Sequence, residues 1–179
     1  MSGSTRRKGS SARPAASVAF LDKPDGLSSF AALGALKRAV GTRKVGHTGT
    51  LDPFATGLLV ALVGPATRAA RFFNGLPKRY SARFVFGSQT DTDDATGAVL
   101  RTAELPSAGS LAQALPRFRG SFTQLPPAYS AVHVGGRRAH EIARSGETPD
   151  VREREVTVTR MEVVAAEEAG ELVEYADVD

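Results

Sequence analysis

No cysteine occurs among the 179 residues, which excludes disulfides and thiolate metal sites and fits a reducing compartment, with the cytoplasm expected. No apolar run approaches the roughly 18 residues that a membrane span needs. The basic N-terminus is followed by no apolar core, so a secretory signal is not expected. Acids are missing from residues 1–17, which carry Arg6, Arg7, Lys8 and Arg13, and bases are missing from residues 161–179, which carry seven acids. Between them, residues 18–160 hold 19 bases and 12 acids, within a formal net charge of +4. A basic body beside an acidic end suits a polyanion on one face, although an ordinary solvated surface carries such charges too. Residues 1–17, rich in Ser, Gly, Arg and Pro, bury little and are expected to be a disordered basic tail. The remaining residues, 18–179, suit one domain of ordinary size, without internal repeats.

Along that domain, residues 17–21 read as a strand and Asp25-Gly26 as a turn. Ser28 or Ser29 can cap a helix with Phe30, Leu33, Leu36 and Val40 on its core face, ended by Gly41. Residues 58–63, Leu-Leu-Val-Ala-Leu-Val, read as a buried strand, and Pro65 starts a further helix. Tyr80, Ala82, Phe84 and Phe86 alternate as in a half-buried strand. A polar loop over 90–97 leads to a strand near 98–102, and a weaker helix over 111–118 is interrupted by Pro116. Residues 137–144 read as a short helix, and 156–164 with 172–178 as a closing strand pair. The class expected is α+β, with a mixed, largely antiparallel sheet and flanking helices.

Chemistry concentrates in Gly46-His47-Thr48-Gly49-Thr50-Leu51-Asp52-Pro53-Phe54-Ala55-Thr56-Gly57. Pro53 restrains Asp52 to an extended or turn conformation, and the loop opens onto a buried strand. A carboxylate presented there can serve as nucleophile or general base; a Gly-rich turn capped by its own Asp would read the same way. Tyr80, behind Lys78 and Arg79, could be a stacking platform or a core aromatic, and His47 could contact a ligand or merely its own loop. Residues 90–97 suggest a calcium loop, but Ala95, Thr96 and Thr102 occupy positions that such a loop needs for ligands and glycine, and that reading fails.

These residues resemble the TruB family of tRNA pseudouridine synthases. The likeness rests on the Asp52 motif and on four further stretches in order. They are Leu21-Asp22-Lys23-Pro24 with Gly26 and Ser28-Ser29, Lys78-Arg79-Tyr80, Thr90-Asp91-Thr92-Asp93, and Gln124-Leu125-Pro126-Pro127-Ala128-Tyr129-Ser130-Ala131 running into Ala143-Arg144. The resemblance implies isomerisation of uridine 55 in the tRNA T loop to pseudouridine by base flipping. Asp52 would be the catalytic carboxylate and Tyr80 the platform for the uracil. His47, Lys23, Arg79, Asp91, Tyr129 and Arg144 would serve substrate binding, the last two within an RNA-gripping insertion over about 121–150. His133 and His140 depart from the commonest family residues at their positions. Cleaving C1′–N1 and rejoining through C5 changes no oxidation state, so no cofactor and no metal is expected. The expected partner is the T-arm stem-loop of tRNA, bound by a monomer away from any membrane.

The chain stops inside what reads as a strand. The family continues to a Gly-Thr-Tyr-Ile-Arg segment whose Arg pairs with the catalytic Asp, so 18–179 is expected to be an incomplete catalytic domain, poorly folded or nearly inactive alone. The alternatives are a noncatalytic tRNA-binding or tRNA-folding module on the same scaffold, and a base-releasing glycosylase.

Overall fold

The computed structural model describes residues 15–73, 75–127, 129–130, 132–169 and 172–178, apart from the side chains of 140, 144 and those beyond 167. Residues 1–14 of the expected tail lie outside the described residues, and Ser17 already opens the first strand. The chain divides into two compact units, Met1–Pro77 and Lys78–Asp179.

In the first unit the described elements are β1 (Ser17–Lys23), α1 (Ser29–Ala39), β2 (Val45–His47), β3 (Gly57–Val63) and a 3-10 helix (Gly64–Phe72). The apolar β3 is the centre of an antiparallel sheet ordered β1-β3-β2. Its register runs from Ser17 opposite Val63 to Lys23 opposite Gly57, and from Val45 opposite Val63 to His47 opposite Ala61. Helix α1 starts where the Ser28 hydroxyl accepts from the Ala31 N–H, and Lys37 and Arg38 in its last turn oppose the C-terminal dipole. It packs through Leu33 onto Leu59 and Ala61, with Ala19, Leu21, Leu36, Val45 and Leu51 around them. Burying a side chain such as Leu33 or Leu59 is worth about 1.5–3 kcal/mol.

The burial differs from expectation in two places. Phe30 is 72% exposed, with the Lys37 ammonium 4.1 Å from its ring centre, so the core face of α1 narrows to Leu33 and Leu36. Leu58 is exposed, as are Val18 and Phe20 on β1, so the sheet buries chiefly the face carrying Leu59 and Ala61. After Pro65 the chain winds as a 3-10 helix. Thr67 Oγ1 donates to the Gly64 carbonyl at 2.9 Å, engaging the acceptor that an α-turn would use.

In the second unit β4 (Ala82–Val85), β5 (Ser88–Thr90), β6 (Val99–Thr102), α2 (Ala108–Ala114), a 3-10 turn (Leu115–Phe118), β7 (Gly120–Gln124), β8 (His133–Val134), β9 (Arg137–Arg138), α3 (Ala139–Arg144), β10 (Arg154–Val158), β11 (Val163–Ala169) and β12 (Leu172–Val178) follow. They pair as β11-β12-β4, β5-β6, β7-β10 and β8-β9, and every described pairing in either unit is antiparallel. The class is α+β. The largely antiparallel pairing expected is distributed over several small sheets.

Three boundaries also move. The strand expected from Tyr80 is confined to β4, with all four residues exposed. Arg137 and Arg138 leave the expected helix to pair with β8 across Gly135-Gly136. The expected strand 156–164 is interrupted, its halves becoming the end of β10, which pairs with β7, and the start of β11, which pairs with β12.

Candidate active site

Asp52 is exposed on a turn whose backbone is held from several sides. The Ala55 N–H donates to the Asp52 carbonyl at 3.1 Å, closing Asp52-Pro53-Phe54-Ala55 with Pro53 at the position that such turns favour. The next carbonyl, of Pro53, accepts from the Gly26 N–H at 2.9 Å and from Lys23 Nζ at 3.1 Å. Gly26 reaches it with φ +80°, a conformation that side chains disfavour. On the other flank Ser29 Oγ accepts from the Leu51 N–H at 2.8 Å and donates to the Leu51 carbonyl at 2.9 Å. Residues 51, 52 and 53 are thus each fixed by hydrogen bonds from outside their own peptide groups.

Lys23 revises an expectation. Its side chain is fully buried, and Nζ also donates to the Pro24 and Leu27 carbonyls at 2.9 and 2.7 Å. Three acceptors match the three donors of an ammonium, so nothing is left to reach a substrate in this arrangement. Lys23 instead ties the end of β1 to the turn beneath Asp52.

His47, the last residue of β2, is half-buried opposite Ala61. Its Nδ1 is buried without a hydrogen-bond partner among the described residues. The β2–β3 pairing continues one residue further, the Thr48 N–H donating to the Val60 carbonyl at 3.0 Å. At the other end of β2, Arg43 and Lys44 are exposed, and the Lys44 carbonyl accepts from the Gly64 N–H at 2.7 Å, which sets them beside the 3-10 helix bearing exposed Arg68 and Arg71. Between residues 26 and 77 Asp52 is the only acid, against Lys37, Arg38, Arg43, Lys44, Arg68 and Arg71. That imbalance was present in the sequence and was diluted by counting charge over a longer span.

In the second unit Tyr80 is 60% exposed, before the start of β4, with Arg79 next to it. Asp91 Oδ1 accepts from the Ala98 N–H at 2.9 Å, closing the β5–β6 loop. Within that loop Asp94 Oδ1 accepts from Thr96 Oγ1, Thr96 N–H and Thr92 Oγ1 at 2.6, 2.8 and 2.8 Å. The Thr96 hydroxyl foremost, against opposing burial, and then the Thr96 N–H and Thr92 hydroxyl lower the Asp94 pKa below its ordinary value. Tyr129 is 38% exposed; Arg144 ends α3, and its side chain lies outside the described set. His133 and Arg138 face each other across the β8–β9 hairpin. A cleft of about 760 Å³ in this unit, lined among others by Phe86, Gln89, Arg101, Leu111 and Phe118, includes none of the expected site residues. No cluster of potential metal ligands occurs among the described residues.

The model of the TruB family pseudouridylate synthase N-terminal domain matches residues 37–177. The chain belongs to that family. A tRNA pseudouridine synthase B of Treponema pallidum is 48% identical over 154 residues, which are 86% of this chain and 42% of the relative. The enzyme of the same name from Aquifex aeolicus is 43% identical over 147 residues, 82% of this chain and 51% of its own. The chain therefore spans about half, or somewhat less, of the length of these TruB relatives. Among solved structures, a Cbf5-Nop10-Gar1 complex matches 90% of this chain and 39% of its own at 26% identity and a TM-score of 0.52. An archaeal box H/ACA sRNP Nop10-Cbf5 complex, 19% identical with a TM-score of 0.57 over 93% of this chain and 37% of that one, is alike in fold. The TruB match begins inside α1, so Lys23, Gly26 and Ser29, which hold the Asp52 turn, lie before it.

Proposed function

We propose that the protein isomerises uridine 55 in the T loop of tRNA to pseudouridine, with Asp52 as its catalytic carboxylate. The observation that carries the reading is the exposed Asp52, the sole acid of residues 26–77, on a turn fixed at three successive residues in a chain of the TruB family. The C1′–N1 bond breaks, the uracil rotates, and C1′ bonds to C5. The C5 hydrogen then leaves as a proton to solvent while N1 takes up a proton, so atoms and charge balance without oxidant or metal. A single carboxylate beside the sugar, acting on C1′ or on a neighbouring proton, meets that demand.

The uridine must first leave its stack, and extruded bases are held on aromatic faces. Tyr80, exposed beside Arg79, is the platform in this reading. His47, half-buried at the end of β2, contacts the RNA loop in this reading. Tyr129, Arg144, His133 and the β8–β9 cations contact the T-arm, and Arg43, Lys44, Arg68 and Arg71 attract RNA phosphates. Asp91 shapes its loop, and Lys23 acts from inside the fold. The protein works as a monomer in the cytoplasm, where tRNA is modified; no helix among the described residues is long and apolar enough to cross a membrane.

Nucleoside analysis of an unmodified tRNA transcript incubated with the full-length protein tests the reading. Pseudouridine at position 55, in stoichiometric replacement of uridine, is expected. Free uracil would indicate a glycosylase, and tRNA binding without either product would indicate a folding module.

A further inference from the structure

Ser28 and Ser29 look interchangeable as helix caps, yet they do different work. Ser28 caps α1 through the Ala31 N–H. Ser29, the first residue of the helix, is 3% exposed, and both hydrogen bonds of its hydroxyl go to Leu51, 22 residues away. A hydroxyl carries one donor hydrogen alongside its acceptor lone pairs, and here the two roles engage the N–H and C=O of the same residue. Two bonds from one oxygen to both ends of the residue restrict backbone rotation at Leu51.

We infer that Ser29 is a positioning residue for Asp52, an inference that rests on Asp52 being the catalytic carboxylate. The Asp52 carbonyl and the Pro53 carbonyl are held from the C-terminal side by Ala55, Gly26 and Lys23. Ser29 supplies the matching hold on the N-terminal side, so the Cα of Asp52 is pinned between two anchored peptide groups and its carboxylate is presented from one place. Lys23 divides its donors among three carbonyls, two of them within the β1–α1 connection, and so supports the local fold as a whole. The Ser29 contacts go to the flank of the reacting residue. Leu51 is half-buried, its side chain packed against the Leu33, Leu59 and Ala61 core, and Ser29 itself is buried, so little solvent is at hand to replace a lost hydroxyl.

The test compares full-length wild type with Ser29→Ala, Ser29→Thr and Ser28→Ala, measuring kcat and KM for pseudouridine formation in tRNA together with amide hydrogen exchange over residues 51–55. Displacement of a reacting group by about 1 Å costs about 100-fold in rate, so Ser29→Ala is expected to lower kcat by about 10- to 100-fold with KM within about 2-fold. Exchange over 51–55 rises. Ser29→Thr, which retains the hydroxyl, recovers most of both. Ser28→Ala loosens α1 and lowers the melting temperature but leaves kcat near wild type, because it does not touch Leu51. Should Ser29→Ala fail to fold, Ser29→Cys, with its longer and weaker polar group, is read by the same kcat-against-KM split. Unchanged kcat in folded Ser29→Ala (or in Ser29→Cys where it stands in), a loss confined to KM, or unaltered exchange over 51–55 in that variant would overturn the assignment. An inactive wild type would overturn the isomerase reading itself, while the exchange comparison still decides whether Ser29 holds the turn.

Discussion

At Lys23 three carbonyl oxygens converge on one nitrogen that no solvent reaches. Replacing the residue with Met keeps the stem and removes the donors, so the Pro24 and Leu27 carbonyls lose this partner and the Pro53 carbonyl keeps only the Gly26 N–H. Lys23→Met is therefore expected to lower the unfolding free energy by about 2–4 kcal/mol, seen as a lower urea midpoint at unchanged m value. Lys23→Arg should not rescue it, since a planar fork cannot aim at three carbonyls grouped around a point. An unchanged midpoint for Lys23→Met would remove the clamp from consideration. The burial of Lys23 was legible, because Ala19, Leu21 and Lys23 share one face of β1 and the first two line the core. The basic residue type, next to Pro24 in a family motif, pointed instead to a ligand. The turn that exposes Asp52 was legible, because Pro53 follows it in a Gly- and Thr-rich loop. Ser29 was not, because an adjacent serine pair at a helix start looks like one cap with a spare.

Among the elements, the β5–β6 loop behaves as a unit built on acids and hydroxyls. Asp94 has its pKa lowered in the folded protein, so its contribution to stability is present above the ordinary aspartate value and is lost as pH falls through the lowered one. In Asp94→Asn the loss of stability on acidification below about pH 4 should accordingly be smaller than in wild type, measured by urea unfolding at successive pH values. An identical acid limb in the two proteins would contradict the role of the Thr96 and Thr92 hydroxyls. Gly97 is needed in the same loop: a Cβ there would overlap Thr92 Oγ1 and Asp91 Oδ1 and lie 2.9 Å from the Thr92 backbone nitrogen. Gly97→Ala should destabilise by about 1–3 kcal/mol, with hydrogen exchange rising first over residues 90–98. Exchange unchanged over that span would refute it. This loop and the strand after it were legible, since Thr, Asp and Gly lead into an apolar run; β5, Ser-Gln-Thr, was not. The β8–β9 hairpin was also written in Val134-Gly135-Gly136-Arg137, a two-residue turn signal that the cations around it obscured. β7 was not legible: Gly-Ser-Phe-Thr-Gln has one apolar residue, and pairing with the distant β10 rather than local pattern makes it β. β11 was legible only at Val163 and Val164, because two adjacent glutamates interrupt the apolar pattern of Val163–Ala169.

For the molecule as a whole, charge decides how a polyanion arrives. Arg43 and Lys44 are exposed, and the backbone that places them bonds through Lys44's carbonyl, which a side-chain change leaves intact. Replacing both with Gln should reduce the dependence of log affinity for tRNA on log salt by about 1.4–2, with the fold unaffected. An unaltered slope would place the phosphates elsewhere. The α+β class followed from alternating apolar runs and helical caps, whereas the division at Pro77 and Lys78 depends on long-range pairing that no local pattern reports. The most direct measurement is tritium release from T-arm RNA containing 5-tritiated uridine by the full-length protein, compared with Asp52→Asn. Release by wild type and none by Asp52→Asn is predicted. Equal release by the two proteins would contradict the assignment of the isomerisation to Asp52.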